Sequence, residues 1–145
     1  FRRKIDYIRS RLESPSGAKV FFGIDVMAGL PGESRELFEQ SKAFIESIRP
    51  AYIHVFPYSR RPHTPAALMD GQVDDAEKKR RVAELEELCA RLHSEFVEAN
   101  RGVREKVLFE SSRKGGMMEG YTGNYIRVSR PYDKALVNTL VDIIL

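Results

Sequence analysis

Residues 20–34 read VFFGIDVMAGLPGES. Val20, Phe21, Phe22, Ile24, Val26 and Met27 form a short, nearly continuous apolar run, the pattern of a strand covered on both faces. Gly29 and Gly32 flank Pro31, so the chain turns sharply where that strand ends. Ser34 then caps a helix in which Leu37, Phe38, Phe44, Ile45 and Ile48 are expected on one face, and Arg49-Pro50 stops it. In parallel sheets with covering helices, ligands bind just outside the carboxyl ends of the strands. The Gly-Leu-Pro-Gly-Glu loop is therefore the first candidate site.

Working outward, Ala51–Phe56 is a second β-rich run, ended by Pro57 because proline cannot donate to a central ladder. Residues 58–74 form a long polar loop, of a length that compact domains reserve for function or disorder. Asp74 or Asp75 opens a helix over about 75–100 whose apolar stripe is Val82, Leu85, Leu88, Leu92 and Phe96. Upstream, residues 1–13 place Ile5, Ile8 and Leu12 at helical spacing, and Ser14-Pro15-Ser16-Gly17 ends that helix. After Gly102 the texture changes to short β-like runs, 106–110, 117–121, 125–128 and 140–145, separated by Gly, Ser, Asn and Pro. The expected fold class is thus α/β followed by all-β. Residues 1–102 read as a partial (β/α) barrel including the long connecting helix, and 103–145 as a small antiparallel β-barrel or sandwich, with truncation at its C-terminus an open alternative. A closed eight-stranded barrel takes about 200 residues or more, so the remaining strands are expected upstream of Phe1, and the chain is expected to be cut from a longer protein at both ends. The open barrel edge is expected to make the piece self-associate.

The 145 residues are 42% hydrophobic and 31% charged, ordinary for a globular protein. No apolar run approaches the roughly 20 residues of a membrane helix, and neither a signal peptide nor a membrane partner is expected. The net charge of +3 is compatible with nucleic acid without arguing for it. The single cysteine, Cys89, excludes an internal disulfide, fits a reducing cytosol, and falls on the apolar helix face as a core thiol.

The first loop is not a nucleotide P-loop, because Glu33 stands where a phosphate-binding lysine is required. It suits a planar purine better. Gly29 lets backbone approach closely, Met27 offers a polarizable contact, and the Phe56-Pro57 strand end supplies carbonyls and aromatic surface nearby. His54, His63 and His93 lack ligand-like spacing, and His54 is expected as a hydrogen-bonded core residue, with a position facing the barrel interior as the alternative. Arg60 and Arg61, in a loop at the same end of the second strand, are candidates for phosphate or carboxylate. The charge run 77–81 reads as a solvated helix face. In 104–145 seven basic residues (Arg113 and Lys114 among them) outnumber five acidic ones, a small excess. The argument for RNA there rests on Tyr121, Asn124, Tyr125 and Arg127 around one hairpin, with Arg130 beyond it: rings stack on bases while arginine meets phosphate. Tyr125 fits the core equally well, because strand residues alternate faces.

Three stretches, in order, resemble one family. DVMAGLPGES resembles the DVIVGFPGET signature of radical S-adenosylmethionine methylthiotransferases, HVFPYSRRPHTPA resembles their HVFPYSPRPGTPA, and GYTGNYIRV resembles their TRAM domain, an RNA-binding β-barrel of OB-like form. KKRRVAEL also matches the family's helix after the second stretch. The Tyr125–Val128 ending is most similar to the branch acting on N6-threonylcarbamoyladenosine in tRNA. The resemblance implies a cytoplasmic enzyme that adds a methylthio group to C2 of the adenosine next to the anticodon. It implies S-adenosylmethionine against Met27, Gly29, Phe56 and Pro57, tRNA as partner, and two [4Fe–4S] clusters in the full-length protein. Met27, Ala28 and Leu30 replace the family's usual Ile, Val and Phe, all apolar. The family's CxxxCxxC loop is missing here, so this piece holds no cluster, no metal ligand and no catalytic residue, and is expected to be inactive alone. The rival reading is a non-catalytic RNA-binding module, or the isopentenyladenosine or ribosomal-protein branch of the same family.

Overall fold

The computed structural model describes residues 1–13, 17–111 and 115–145. The Ser14-Pro15-Ser16 helix stop, and Arg113 and Lys114 of the basic excess, lie outside the described residues. The chain forms two compact units, residues 22–95 and residues 1–21 with 96–145.

In the first unit, β1 (Gly23–Ala28) and β2 (Tyr52–Pro57) pair in parallel, with α2 (Arg35–Ile48) as the crossover between them. A right-handed β-α-β crossover is the usual way to join neighbouring parallel strands. Ser34 caps α2 by accepting the Leu37 amide, and Arg49 ends it in the left-handed conformation at φ 48°. α3 (Pro65–Leu68) is a single turn in the long loop. α4 (Asp75–Glu98) begins where Asp74 Oδ1 accepts the amides of Ala76 and Glu77. Ala28, Phe38, Ile45, Ile53, Leu85, Leu88, Cys89 and Leu92 form the core under the sheet, joined by Ile24, Val26, Val55 and Val82. Cys89 is the expected core thiol, and its sulfur accepts the Ile53 amide at 3.2 Å.

Several expectations change here. The first strand is covered on one face only. Ile24, Val26 and Ala28 turn inward, while Gly23, Asp25 and Met27 are exposed beside Tyr52, His54 and Phe56. Gly23 and Asp25 interrupt the apolar run at alternate positions, which is the period of a strand with one open face. His54 belongs to that open face rather than the core: its side chain is 59% exposed, with Nδ1 3.6 Å from Asp25 and its ring 4.2 Å from that of Phe56. On α2, Phe38, Ile45 and Ile48 are buried but Leu37 and Phe44 are exposed, because the two sets lie one residue apart and so about 100° around the helix.

In the second unit, α1 (Arg2–Leu12) buries Ile5 and leaves Leu12 exposed. Four antiparallel strands, β3 (Arg104–Phe109), β4 (Met117–Thr122), β5 (Arg127–Pro131) and β6 (Leu140–Ile144), pair in the order β5-β4-β3-β6. Among the described residues β5 and β6 do not pair with each other, so the four strands form an antiparallel sheet open at that edge, in keeping with the expected α/β-then-β order. Val107, Phe109 and Met118 are fully buried on its inner face, packed by Val128, Tyr132, Leu136, Val137, Val141 and Ile143. Gly120 permits that packing, since a Cβ there would fall 2.6 Å from the Leu108 carbonyl oxygen.

Candidate functional site

The tips of β1 and β2 lie side by side, with Met27 opposite Phe56 and Ala28 opposite Pro57. Tyr58 prolongs the pairing by donating its amide to the Ala28 carbonyl at 2.8 Å. Met27 is 49% exposed and Phe56 40%, so a thioether and an aromatic ring share one open surface at the strand ends. Tyr58 itself is buried and adds no surface.

Gly29 has a different employment. Its φ is 80°, and a Cβ would meet Lys78 Cγ at 2.4 Å, so the lysine stem fills the space that glycine leaves. Its amide donates to Glu33 Oε2 at 2.6 Å. Arg81, 4% exposed, donates to the same carboxylate at 2.7 Å, to the Glu33 carbonyl at 2.9 Å and to Glu77 at 2.8 Å. Burial opposes the Arg81 charge, and the Glu77 and Glu33 hydrogen bonds outweigh it, leaving its proton held more tightly than usual. The 77–81 run is therefore partly a buried clamp on the glycine loop and not a wholly solvated face. Arg81 continues the stripe 85, 88, 92 by one helical step, which is the signal the composition of the run concealed.

A ladder of ion pairs ties α2 to α4. Arg35 grips Glu84 with both terminal nitrogens, at 2.8 and 3.0 Å, and Lys42 joins at 2.6 Å. Chiefly through Arg35, and against desolvation, these bonds hold the Glu84 carboxyl down to about 2. Arg91 contacts Glu46 and Glu95, and Arg49 contacts Glu95.

Of the two loop arginines, Arg60 is committed within the unit, its Nε and Nη2 both donating to the Ala67 carbonyl at 2.8 and 2.6 Å. Arg61 is exposed.

In the second unit the expected RNA residues separate by role. Arg130 is half-buried, its guanidinium 5.6 Å from the centroid of the buried Phe109 ring. Asn124 is used structurally: its Nδ2 donates to the Lys19 carbonyl at 3.0 Å and to Asn100 Oδ1 at 3.1 Å. Tyr121, Tyr125 and Arg127 are exposed, and Arg127 sits 3.5 Å from Glu119. Strand register lines up Arg127, Tyr121, Leu108 and Leu140 across the outer face of the sheet. Tyr121, Leu108 and Leu140 of that row line a surface depression that Tyr125, Lys106 and Arg104 border, with Glu105, Glu110 and Asp142 also along it. Leu108, Lys106 and Arg104 were not singled out from sequence; their alternation with buried Val107 and Phe109 was the available signal.

Among the described residues no group of three His, Cys, Asp or Glu side chains is placed to hold a metal, and no helix is long and apolar enough to cross a membrane. Cys89, buried in the core, does not fit an iron–sulfur cluster, which needs several accessible thiolates.

No family model matches the chain. Individual relatives do. It is 37% identical over 108 residues to the threonylcarbamoyladenosine tRNA methylthiotransferase MtaB of Bacillus subtilis, a match covering 72% of this chain and 24% of that protein. Against the MtaB of Aquifex aeolicus it is 38% identical over 109 residues, 74% of this chain and 25% of the relative. Against the tRNA-2-methylthio-N(6)-dimethylallyladenosine synthase of Magnetococcus marinus it is 36% identical over 121 residues, 82% of this chain and 28% of the relative. The chain belongs to the radical S-adenosylmethionine tRNA methylthiotransferase family. It spans about a quarter of the length of these curated relatives.

Proposed function

We propose that this chain is the carboxyl-terminal portion of a cytoplasmic tRNA methylthiotransferase that modifies C2 of N6-threonylcarbamoyladenosine beside the anticodon. Residues 1–102 are assigned to the end of a (β/α) barrel and 103–145 to a TRAM-like RNA-docking module. The observation that carries the reading is the parallel pairing of the two motif strands, which sets Met27 against Phe56 at their carboxyl ends. There Met27 and Phe56, with Pro57 beside them, would hold the adenine of S-adenosylmethionine by apolar contact. Gly29 acts by shaping the loop, because its amide is already given to Glu33. S-adenosylmethionine supplies the radical chemistry when a reduced cluster is present. The cluster cysteines belong to the rest of the protein, and the chain alone is inactive.

The isopentenyladenosine branch is the second reading, favoured by the longer match to the Magnetococcus marinus synthase. Mass spectrometry of tRNA nucleosides from cells lacking the whole protein separates the two. Loss of the methylthio form of N6-threonylcarbamoyladenosine, with accumulation of its precursor, is the expected result. Loss of the methylthio isopentenyl nucleoside instead selects the second branch, and an unchanged nucleoside profile contradicts both.

A further inference from the structure

We propose that Tyr125 is a stacking platform for one unpaired base of a single-stranded RNA segment, held outward by a turn built against its own local preference. The proposal rests on the RNA-docking role assigned above to residues 103–145.

Residues 123–126 join β4 to β5, and the Thr122–Ile126 hydrogen bonds close a three-residue loop within them, Gly123-Asn124-Tyr125. Thr122 closes it from both sides. Its amide donates to the Ile126 carbonyl at 3.0 Å, its carbonyl accepts the Tyr125 amide at 3.1 Å, and its hydroxyl oxygen accepts the Ile126 amide at 2.8 Å. In such loops the last residue takes the left-handed conformation, the place where glycine is free and a bulky side chain is an outlier. Tyr125 occupies it at φ 61°.

Nothing about the turn is loose. Asn124, just before the tyrosine, is anchored to Lys19 and Asn100. Asn100 is fully buried, and its amide group also accepts the Lys19 amide at 2.9 Å and donates to the Phe96 carbonyl at 2.8 Å. The strained residue is therefore over-determined by its surroundings, the circumstance in which strain marks function.

Burial does not explain the tyrosine. It is 67% exposed. Its ring centroid lies 5.3 Å from that of Phe21, which in turn meets Phe96 edge to face at 5.6 Å. This row of rings ends in solvent with an aromatic that already has one neighbour and room for another. Arg104 and Lys106 line the same depression as Tyr125, together with Glu105, Glu110 and Asp142; Lys106 pairs with Asp142 at 3.8 Å, and the exposed Arg127 lies outside the depression, opposite Tyr121 in register and 3.5 Å from Glu119. These exposed cations are the groups on this sheet that can exchange a carboxylate for the sugar-phosphate chain next to the base.

The test uses the 145-residue chain and a 17-nucleotide RNA hairpin with 2-aminopurine in a seven-nucleotide loop, with the same stem closed as a blunt duplex for comparison. The parent chain is expected to bind the hairpin more tightly than the duplex and to quench the 2-aminopurine. Tyr125→Phe retains both effects. Tyr125→Gly and Tyr125→Asn, two residues at ease in the left-handed region, weaken hairpin binding about ten-fold or more and abolish quenching, with unchanged circular dichroism. A parent chain that binds neither RNA at low salt overturns the docking role itself and this proposal with it. A parent that binds without quenching, or ring-less variants that bind as well as the parent, overturn the stacking proposal and leave the docking role standing.

Discussion

Gly29 and Tyr125 share a backbone conformation and little else. Both have positive φ, 80° and 61°, and both sit in a tight turn at the end of a strand. At Gly29 every level agrees. Glycine is free in that conformation, the stem of Lys78 needs the room, and the Glu33–Arg81 clamp holds the loop from beneath. At Tyr125 the levels conflict. A Cβ-bearing residue in the left-handed region costs about 1–2 kcal/mol, and a side chain left mostly in solvent recovers only part of it. The first loop is shaped by what the fold needs, and the second carries a residue the fold would not choose. Conflicts of that kind are where a binding function is to be sought.

The contrast can be broken most forcefully at Gly29. Gly29→Ala is expected to cost about 2–3 kcal/mol, because it adds backbone strain and a clash with Lys78 together. Urea unfolding of the chain measures it, and a change below about 0.5 kcal/mol, the scale of a surface substitution, contradicts the clamp. A smaller effect belongs to the α2–α4 ladder that supports the same unit. Glu84, held near 2 by Arg35 and then Lys42, has a folded value below its ordinary 4.5. Its contribution is therefore present above about pH 5 and disappears as the pH falls toward 2. Glu84→Gln should lose about 1 kcal/mol at neutral pH, and the gap to the parent should close in acid. A gap that stays constant between pH 7 and pH 3 would place the stabilisation elsewhere.

Much of this molecule was legible in its residues, and the illegible parts have identifiable causes. The two parallel strands, the Ser34 cap, the long α4 helix and the switch to β structure after Gly102 all announce themselves by period and punctuation. These are local signals, and the local environment decides them. Arg81 was concealed because a charged residue inside a charged run reads as solvated, although its helical position points into the core. The open face of β1 and β2 was concealed because Phe22 and Met27 make the run look apolar throughout, when Gly23 and Asp25 carry the alternation. The roles of Asn124 and Arg60 required knowing which distant carbonyls lay within reach, Lys19 for one and Ala67 for the other, and no spacing rule supplies that. For Tyr125, the motif marked the hairpin, and only the backbone angle showed that the ring stands where glycine would be unstrained.

The most direct measurement is the unfolding free energy of Tyr125→Gly against the parent chain in the absence of RNA. Removing the ring forfeits its contact with Phe21, about 1 kcal/mol, and makes the unfolded chain looser, while the relief of left-handed strain offsets most of both. The account predicts stability within about 1 kcal/mol of the parent. A loss above about 2 kcal/mol would mean that the tyrosine is there to hold the fold, and the contrast with Gly29 would disappear.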